Sequence, residues 1–246
     1  MKKESRHEFK YVVDRHLLPI ISGYLEAIGL KKDEATNDEY AIKNGSYIIT
    51  SLYFDTPSLK DHYDKLSGLK HRRKLRARIY TEKFFDDEEK VWLEVKEKFD
   101  TNILKHRSSV SKNIFLKFSK TGNVFSLVNQ FNLQKALDDF KYLCLWYGYG
   151  PHIIVRYNRK AYIGYFMSNF RLTLDSNIEA CRWRDVETIR HMTPVFKDKF
   201  VIEAKFRGAM PWWFKDMIRR FQLSRSSFSK YTNSVDALHR HNKIAR

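Results

Sequence analysis

In the stretch Trp92-Leu93-Glu94-Val95-Lys96, charged Glu94 and Lys96 alternate with apolar Leu93 and Val95. Side chains on an extended strand point to opposite faces in turn, so Glu94 and Lys96 share one face and Leu93 and Val95 the other. The same unit recurs as Glu8-Phe9-Lys10 and Glu203-Ala204-Lys205, and Lys74, Arg76 and Arg78 alternate with Leu75, Ala77 and Ile79. Lys105 and Arg107 precede Val110 in a further run. These runs predict strands with a wall of charge on one side and hydrocarbon on the other. Two arrangements satisfy that pattern. Each strand can have a wet outer face, as antiparallel sheets commonly do. Alternatively, the sheet curls so that its charged faces meet around a basic tunnel, with the apolar faces turned outward under helices.

The chain has 246 residues, with 46 Lys and Arg against 29 Asp and Glu, a net charge of +17. A surplus of this sign points to phosphates, nucleic acid or an anionic membrane surface. Aromatic residues make up 15% of the chain and only five prolines interrupt it, which favours a folded core over disorder. Cys144 and Cys181 lie in no metal-ligand spacing and read as two reduced thiols. The start MKKESRHEFKY lacks an apolar leader, and no window approaches the roughly 18 apolar residues of a spanning helix. The expectation is a soluble cytoplasmic protein with no transmembrane segment of its own, which would reach a membrane only through a membrane-protein partner.

The patterning predicts a strand over 6–13 and a helix capped by Asp14 and closed by Gly29. A strand over 47–55 ends at Thr56-Pro57, where a short helix begins. Strands over 72–81, 90–99 and 103–110 form a meander, with the acidic residues 86–89 and the turn at 100–102 between them. Residues 112–148 form a helical insertion. Strands follow over 152–164, 169–176 and 199–207, then an aromatic helix over 212–221 and a basic tail over 232–246. The aromatic helix reads as a packed wall of the sheet, because its apolar residues recur at helical spacing. No repeat or linker divides the chain, so a single domain over 1–246 is expected.

Walker, dinucleotide-binding, nucleophile-elbow and HExxH motifs are absent. Confined Lys and Arg side chains repel one another and are costly to desolvate without an anion, so a basic tunnel implies a polyanionic ligand. The few glutamates on the charged faces suit Mg²⁺ or Mn²⁺, which take one or two carboxylates together with substrate phosphates. That division of labour is the equipment of phosphoryl transfer.

Eight runs carry a family resemblance: Arg6-His7-Glu8-Phe9-Lys10-Tyr11, Ser51-Leu52-Tyr53-Phe54-Asp55-Thr56-Pro57, Lys74-Leu75-Arg76-Ala77-Arg78-Ile79-Tyr80, Trp92-Leu93-Glu94-Val95-Lys96, Tyr157-Asn158-Arg159-Lys160-Ala161-Tyr162, Arg171-Leu172-Thr173-Leu174-Asp175, Val201-Ile202-Glu203-Ala204-Lys205 and Phe228-Ser229-Lys230-Tyr231. In this order they resemble the vacuolar transporter chaperone (VTC) polyphosphate polymerase domain, a branch of the CYTH-like triphosphate tunnel metalloenzymes. The resemblance implies an α+β fold, a closed antiparallel β-barrel with peripheral helices. It implies a metal-dependent polymerase that moves the γ-phosphoryl group of a nucleoside triphosphate such as ATP onto polyphosphate. Carried onto this sequence, it implies a catalytic set of Lys10, Arg76, Arg78, Lys96, Arg159 and Arg171. Lys74, Lys105, Arg107, Tyr157, Lys205 and Lys230 are implied to bind substrate. Glu203 is the implied principal ligand for Mn²⁺ or Mg²⁺; Glu8 and Glu94 are further ligands or partners that orient lysines. Arg6 stands where the wider superfamily has a glutamate, which removes a metal ligand and favours chain transfer over hydrolysis. A tunnel triphosphatase and a non-catalytic polyphosphate-binding module are the alternatives. Nucleic acid is not an expected partner, because the aromatics mostly lie on the faces opposite the charge.

Overall fold

The computed structural model describes residues 6–32, 45–82, 90–100, 102–121, 135–164, 170–183 and 191–244. The strands are β1 (Arg6–Asp14), β2 (Lys31–Lys32), β3 (Tyr47–Asp55), β4 (His71–Ile79), β5 (Lys90–Phe99), β6 (Asn102–Ser111), β7 (Gly150–Ile163), β8 (Arg171–Arg182), β9 (Thr193–Pro194) and β10 (Lys199–Arg207). The helices are α1 (Leu17–Ala27), α2 (Lys60–Leu66), α3 (Lys112–Thr121), α4 (Lys135–Tyr147), α5 (Trp212–Arg220) and α6 (Lys230–Ile244). By hydrogen bonding the strands form an antiparallel sheet in the order β1-β10-β8-β7-β3-β4-β5-β6, with β2 on β7 and β9 on β8. This order has two ends among the described residues, β1 and β6.

The chain divides into two compact units, 1–48, 157–178 and 196–229 in the first and 49–156, 179–195 and 230–246 in the second. In the first, the inner positions of β1, β8 and β10 (Tyr11, Val13, Leu172, Leu174, Phe200, Ile202, Ala204 and Phe206) pack with Ile21 and Leu25 of α1 and Phe214 and Met217 of α5. The aromatic helix is the packed wall that its spacing predicts, with Phe170 4.6 Å from Trp213 and 5.4 Å from Phe214 between ring centroids. In the second, Leu52, Phe54, Leu75, Ala77, Leu93 and Val95 pack with Phe115 and Phe118 of α3 and Leu137, Phe140 and Leu143 of α4. Each unit therefore buries the apolar face of its strands under helices.

Several local expectations are corrected. Asp14 does not cap α1, whose N-cap is His16 without a side-chain bond. Asp14 stands opposite Lys199 in register and pairs with its ammonium at 2.7 Å, so the cross-strand partner wins over the cap. The expected basic tail is helix α6, which buries Tyr231, Val235 and Leu238 at helical spacing. β8 runs to Arg182, well beyond the expected 176. The expected insertion over 112–148 contains α3 and α4; 122–134 lies outside the described residues, as does the acidic loop 86–89. No described helix is long and apolar enough to cross a membrane.

Candidate active site

Register assembles the charged face of the second unit. Tyr53 stands opposite Arg76, Arg76 opposite Glu94, and Glu94 opposite Arg107. Lys74, Lys96 and Lys105 make the row on one side, and Ser51, Arg78, Trp92 and Ser109 the row on the other. Rows two residues apart share a face, so all three belong to one surface.

Glu94 sits at its centre with a side chain only 2% exposed. Its carboxylate is 2.6 Å from Arg76 Nε, 2.6 Å from Lys105 Nζ, 3.5 Å from Arg107 Nε and 3.8 Å from Arg78 Nη1. Burial would raise the pKa of this acid, but Arg76, Arg78 and Lys105 outweigh burial and hold it well below the ordinary carboxylate range. Desolvation and then the neighbouring arginines bring the Lys105 ammonium down to about 8, against the pull of Glu94. Arg76 also donates to the Tyr53 hydroxyl at 3.3 Å, and Arg78 to Ser51 Oγ at 3.4 Å. One buried carboxylate on β5 thus anchors four cations from the two strands beside it, β4 and β6. The face keeps a surplus of positive charge, which suits an anion of several charges.

In the first unit, Glu8 stands opposite Lys205, Lys10 opposite Glu203, Thr173 opposite Glu203 and Arg171 opposite Lys205. Glu203 Oε1 lies 2.5 Å from Lys205 Nζ, and Glu8 Oε1 3.1 Å from Lys10 Nζ. Lys10 Nζ also donates to the Phe228 carbonyl at 3.3 Å. Arg159 makes a two-pronged pair with Asp175, at 2.6 Å from Nε and 2.8 Å from Nη2. Burial works against the Arg159 charge, but Asp175 overrides it and raises that pKa further. The buried Tyr157 ring lies 5.3 Å from the Arg159 guanidinium.

Among the described residues no group of three or more His, Cys, Asp or Glu is placed to hold a metal ion. Glu203 and Glu8 lie on neighbouring strands of one face, two residues apart in register. Such a pair fits an ion that draws its other ligands from phosphate and water, as Mg²⁺ and Mn²⁺ do. Glu94 has a different setting: four cations already surround it.

A second polar network supports the cation face. Asp55, at the end of β3, accepts from the backbone N–H groups of Thr56, Asp61 and His62 at 2.7, 3.0 and 3.2 Å. It also accepts from the Tyr231 hydroxyl at 2.5 Å, which ties the start of α6 to the start of α2. The Tyr231 ring lies 5.2 Å from the Tyr53 ring and 5.9 Å from Lys74 Nζ. Next to it, Asp61 is 2% exposed and accepts from the Tyr149 hydroxyl at 2.7 Å. Burial pushes the Asp61 pKa up to about 7 from an ordinary 3.8, with the Asp55 charge adding to the shift.

The native state therefore holds the Asp61 proton more tightly than the unfolded chain. Stability linked to this group is fully present below its unfolded value near 4 and is lost as pH rises through about 7. Denaturant unfolding of wild type should lose up to about 1.4 kcal/mol per pH unit across that window relative to Asp61→Asn. Parallel stability profiles for the two proteins between pH 5 and pH 8 would remove Asp61 as the source.

The structure brings Lys74, Arg76, Arg78, Lys96, Lys105 and Arg107 together around Glu94 in the second unit, and Lys230 opens α6 there. In the first unit it groups Lys10, Arg159, Arg171, Lys205 and Tyr157 with Glu8 and Glu203. Asp175, Tyr53 and Asp55 were not singled out from sequence. Asp175 shares strand parity with Arg171 and Thr173, so its face was legible although its partner was not. The expectation that aromatics mostly lie opposite the charge has exceptions: Tyr53 and Trp92 stand in the charged rows of the second unit, because their rings carry the arginine stems and guanidinium groups beside them.

Comparison with known proteins follows the same lines. A family model described as the VTC domain matches residues 5–239. A search of curated proteins finds no match. A candidate adenylate cyclase from Bacillus halodurans superposes with a TM-score of 0.53 at 15% identity, covering 93% of this chain and 96% of that one. A candidate adenylyl cyclase from Hippeastrum, described as having a dominant triphosphatase activity, superposes with a TM-score of 0.52 at 15% identity, covering 93% and 94%. At this identity the likeness is one of fold. With the family model matched along nearly its whole length, the chain belongs to the VTC domain family.

Proposed function

We propose that this protein is a metal-dependent polyphosphate polymerase, with its sheet closed around the basic tunnel that the family resemblance implies. The observation that carries the reading is the buried Glu94 carboxylate with Arg76, Arg78, Lys105 and Arg107 around it. Four preoriented cations held by one anion cannot neutralise one another, and a phosphate chain supplies the missing charge.

In this reading Arg76 and Arg78 grip the donor triphosphate, and Lys74 and Lys96 lie along the same face. A terminal oxygen of polyphosphate forms a bond to the γ-phosphorus as the bond to the β–γ bridging oxygen breaks, and the nucleoside diphosphate leaves. Arg159, fixed by Asp175, and Lys10, Arg171 and Lys205 neutralise charge on phosphate oxygens. Glu203, with Glu8 beside it, would hold Mn²⁺ or Mg²⁺, which would supply charge neutralisation at those oxygens. No covalent enzyme intermediate is needed. Burial pushes the thiols of Cys144 and Cys181 up to about 12 and about 11, so neither is a ready nucleophile.

The second reading is a tunnel triphosphatase, in which water replaces the acceptor phosphate. It is favoured by the fold shared with the Hippeastrum protein and its dominant triphosphatase activity. Incubation with ATP and Mn²⁺ or Mg²⁺ separates the two: long-chain polyphosphate on a gel supports the polymerase, and phosphate release without chain growth supports the hydrolase. Glu203→Gln and Lys96→Ala are each expected to slow either reaction by about 100-fold or more. Absence of both products with every metal would sink both enzyme readings and leave a phosphate-binding module. Turnover that survives Glu203→Gln would remove only the metal assignment.

A further inference from the structure

At one end of the cation face in the second unit, Arg107 lies over an aromatic ring. Its guanidinium carbon lies 3.7 Å from the centroid of Trp92. Its Nη2 donates to the Tyr80 hydroxyl at 3.0 Å, and the Tyr80 ring centroid is 5.8 Å away. The guanidinium is thus held by two aromatic side chains, while the Arg107 side chain stays 34% exposed. Trp92 stands directly opposite Arg78 in register, and Arg107 shares a row with Glu94 and Arg76, so this stack joins the two rows that hold Arg78 and Arg76.

A phosphate site alone does not require a planar group held this way. Phosphate is met by donors in the guanidinium plane, whereas the flat faces of arginine and tryptophan stack on unsaturated rings. Planar platforms beside a cationic groove accept nucleobases without demanding a particular base. We propose that Trp92, Arg107 and Tyr80 form a stacking platform for the nucleobase of the donor, with the triphosphate laid from it along Arg78, Arg76 and Lys74. This rests on the nucleotide-dependent reading above and deepens it: the substrate class is a nucleoside triphosphate of any base, in preference to inorganic tripolyphosphate. Along β4 the positions from Arg78 to Lys74 span roughly 13 Å at strand rise, which gives the phosphates an extended track.

Calorimetric titration of ATP, GTP and inorganic tripolyphosphate in the same metal buffer tests this with wild type, Trp92→Leu and Trp92→Phe. Trp92→Leu should lower the affinity for ATP relative to tripolyphosphate by about tenfold, the scale of one base stack. GTP should follow ATP, and Trp92→Phe should keep most of the preference because a ring remains under Arg107. An equal loss for nucleotides and tripolyphosphate in Trp92→Leu would overturn the platform while leaving the phosphate site in place. Binding of neither ligand by the folded wild-type protein would overturn the platform together with the functional reading beneath it.

Discussion

Arg159→Met is expected to destabilise the protein by about 3–5 kcal/mol, the cost of leaving a buried charge without its partner. Asp175 is fully buried, and both of its carboxylate oxygens receive Arg159, at 2.6 and 2.8 Å. Methionine keeps much of the stem volume but supplies no donor, so Asp175 loses its guanidinium partner and must hold its buried charge without it or take up a proton. For a chain of this size that loss lowers the melting temperature by about 2–4 °C per kcal/mol. The double variant Arg159→Met/Asp175→Leu should recover most of the stability, because a buried ion pair can often be replaced by hydrocarbon of similar volume. It should not recover turnover, because the proposed phosphate contact is gone. Denaturant unfolding and the polyphosphate gel report these two losses separately. A single variant as stable as wild type would show that the pair contributes nothing to the fold.

Glu94→Gln should have an effect of similar size from the opposite direction. The substitution keeps the shape of the side chain and removes the anion that lies within 4 Å of Arg76, Arg78, Lys105 and Arg107. Four cations then repel one another around a side chain that is 2% exposed, and because Lys105 and Arg107 are partly screened by solvent a loss of about 2–4 kcal/mol is expected in metal-free buffer. Tripolyphosphate should stabilise the variant more than it stabilises wild type, because a ligand that binds only the folded state adds its binding free energy and here also supplies the missing charge. The metal-free comparison also decides the role of Glu94. A carboxylate whose task is to hold a metal would leave apo stability unchanged when replaced by glutamine, whereas a carboxylate that anchors cations would not. Unchanged apo stability, with no extra gain from tripolyphosphate, would return Glu94 to the metal site.

The faces of the strands were legible in the chain because strand parity is local. Glu94 and Lys96, Glu8 and Lys10, and Glu203 and Lys205 share a face whatever the neighbouring strands do, and apolar Val95, Phe9 and Ala204 allow no slip by one residue without exposing the core. The partners were not legible. Arg76 and Arg107 lie on different strands from Glu94, and only the register of β4 and β6 against β5 brings both to one carboxylate. Asp14 had two possible uses, and Lys199 across the β1–β10 ladder took it. The segment after Tyr231 looks like a charged tail when its composition is read alone. It is a helix because Tyr231, Val235 and Leu238 find a core to bury in, and because Asp55 on β3 receives the Tyr231 hydroxyl.

By itself the sequence determined that this protein alternates charge with hydrocarbon along its strands, that the charge is strongly positive, and that its motifs run in the order of one family. Those properties follow from backbone periodicity and composition, which need no knowledge of distant contacts. Tertiary structure alone decided how the three glutamates differ. Glu94 is encircled by four cations, whereas Glu203 and Glu8 are each paired with a lysine two residues along the same strand. The physical reason is that the role of a carboxylate is set by the charges within about 4 Å of it, and in a sheet those charges come from whichever strands the fold places alongside.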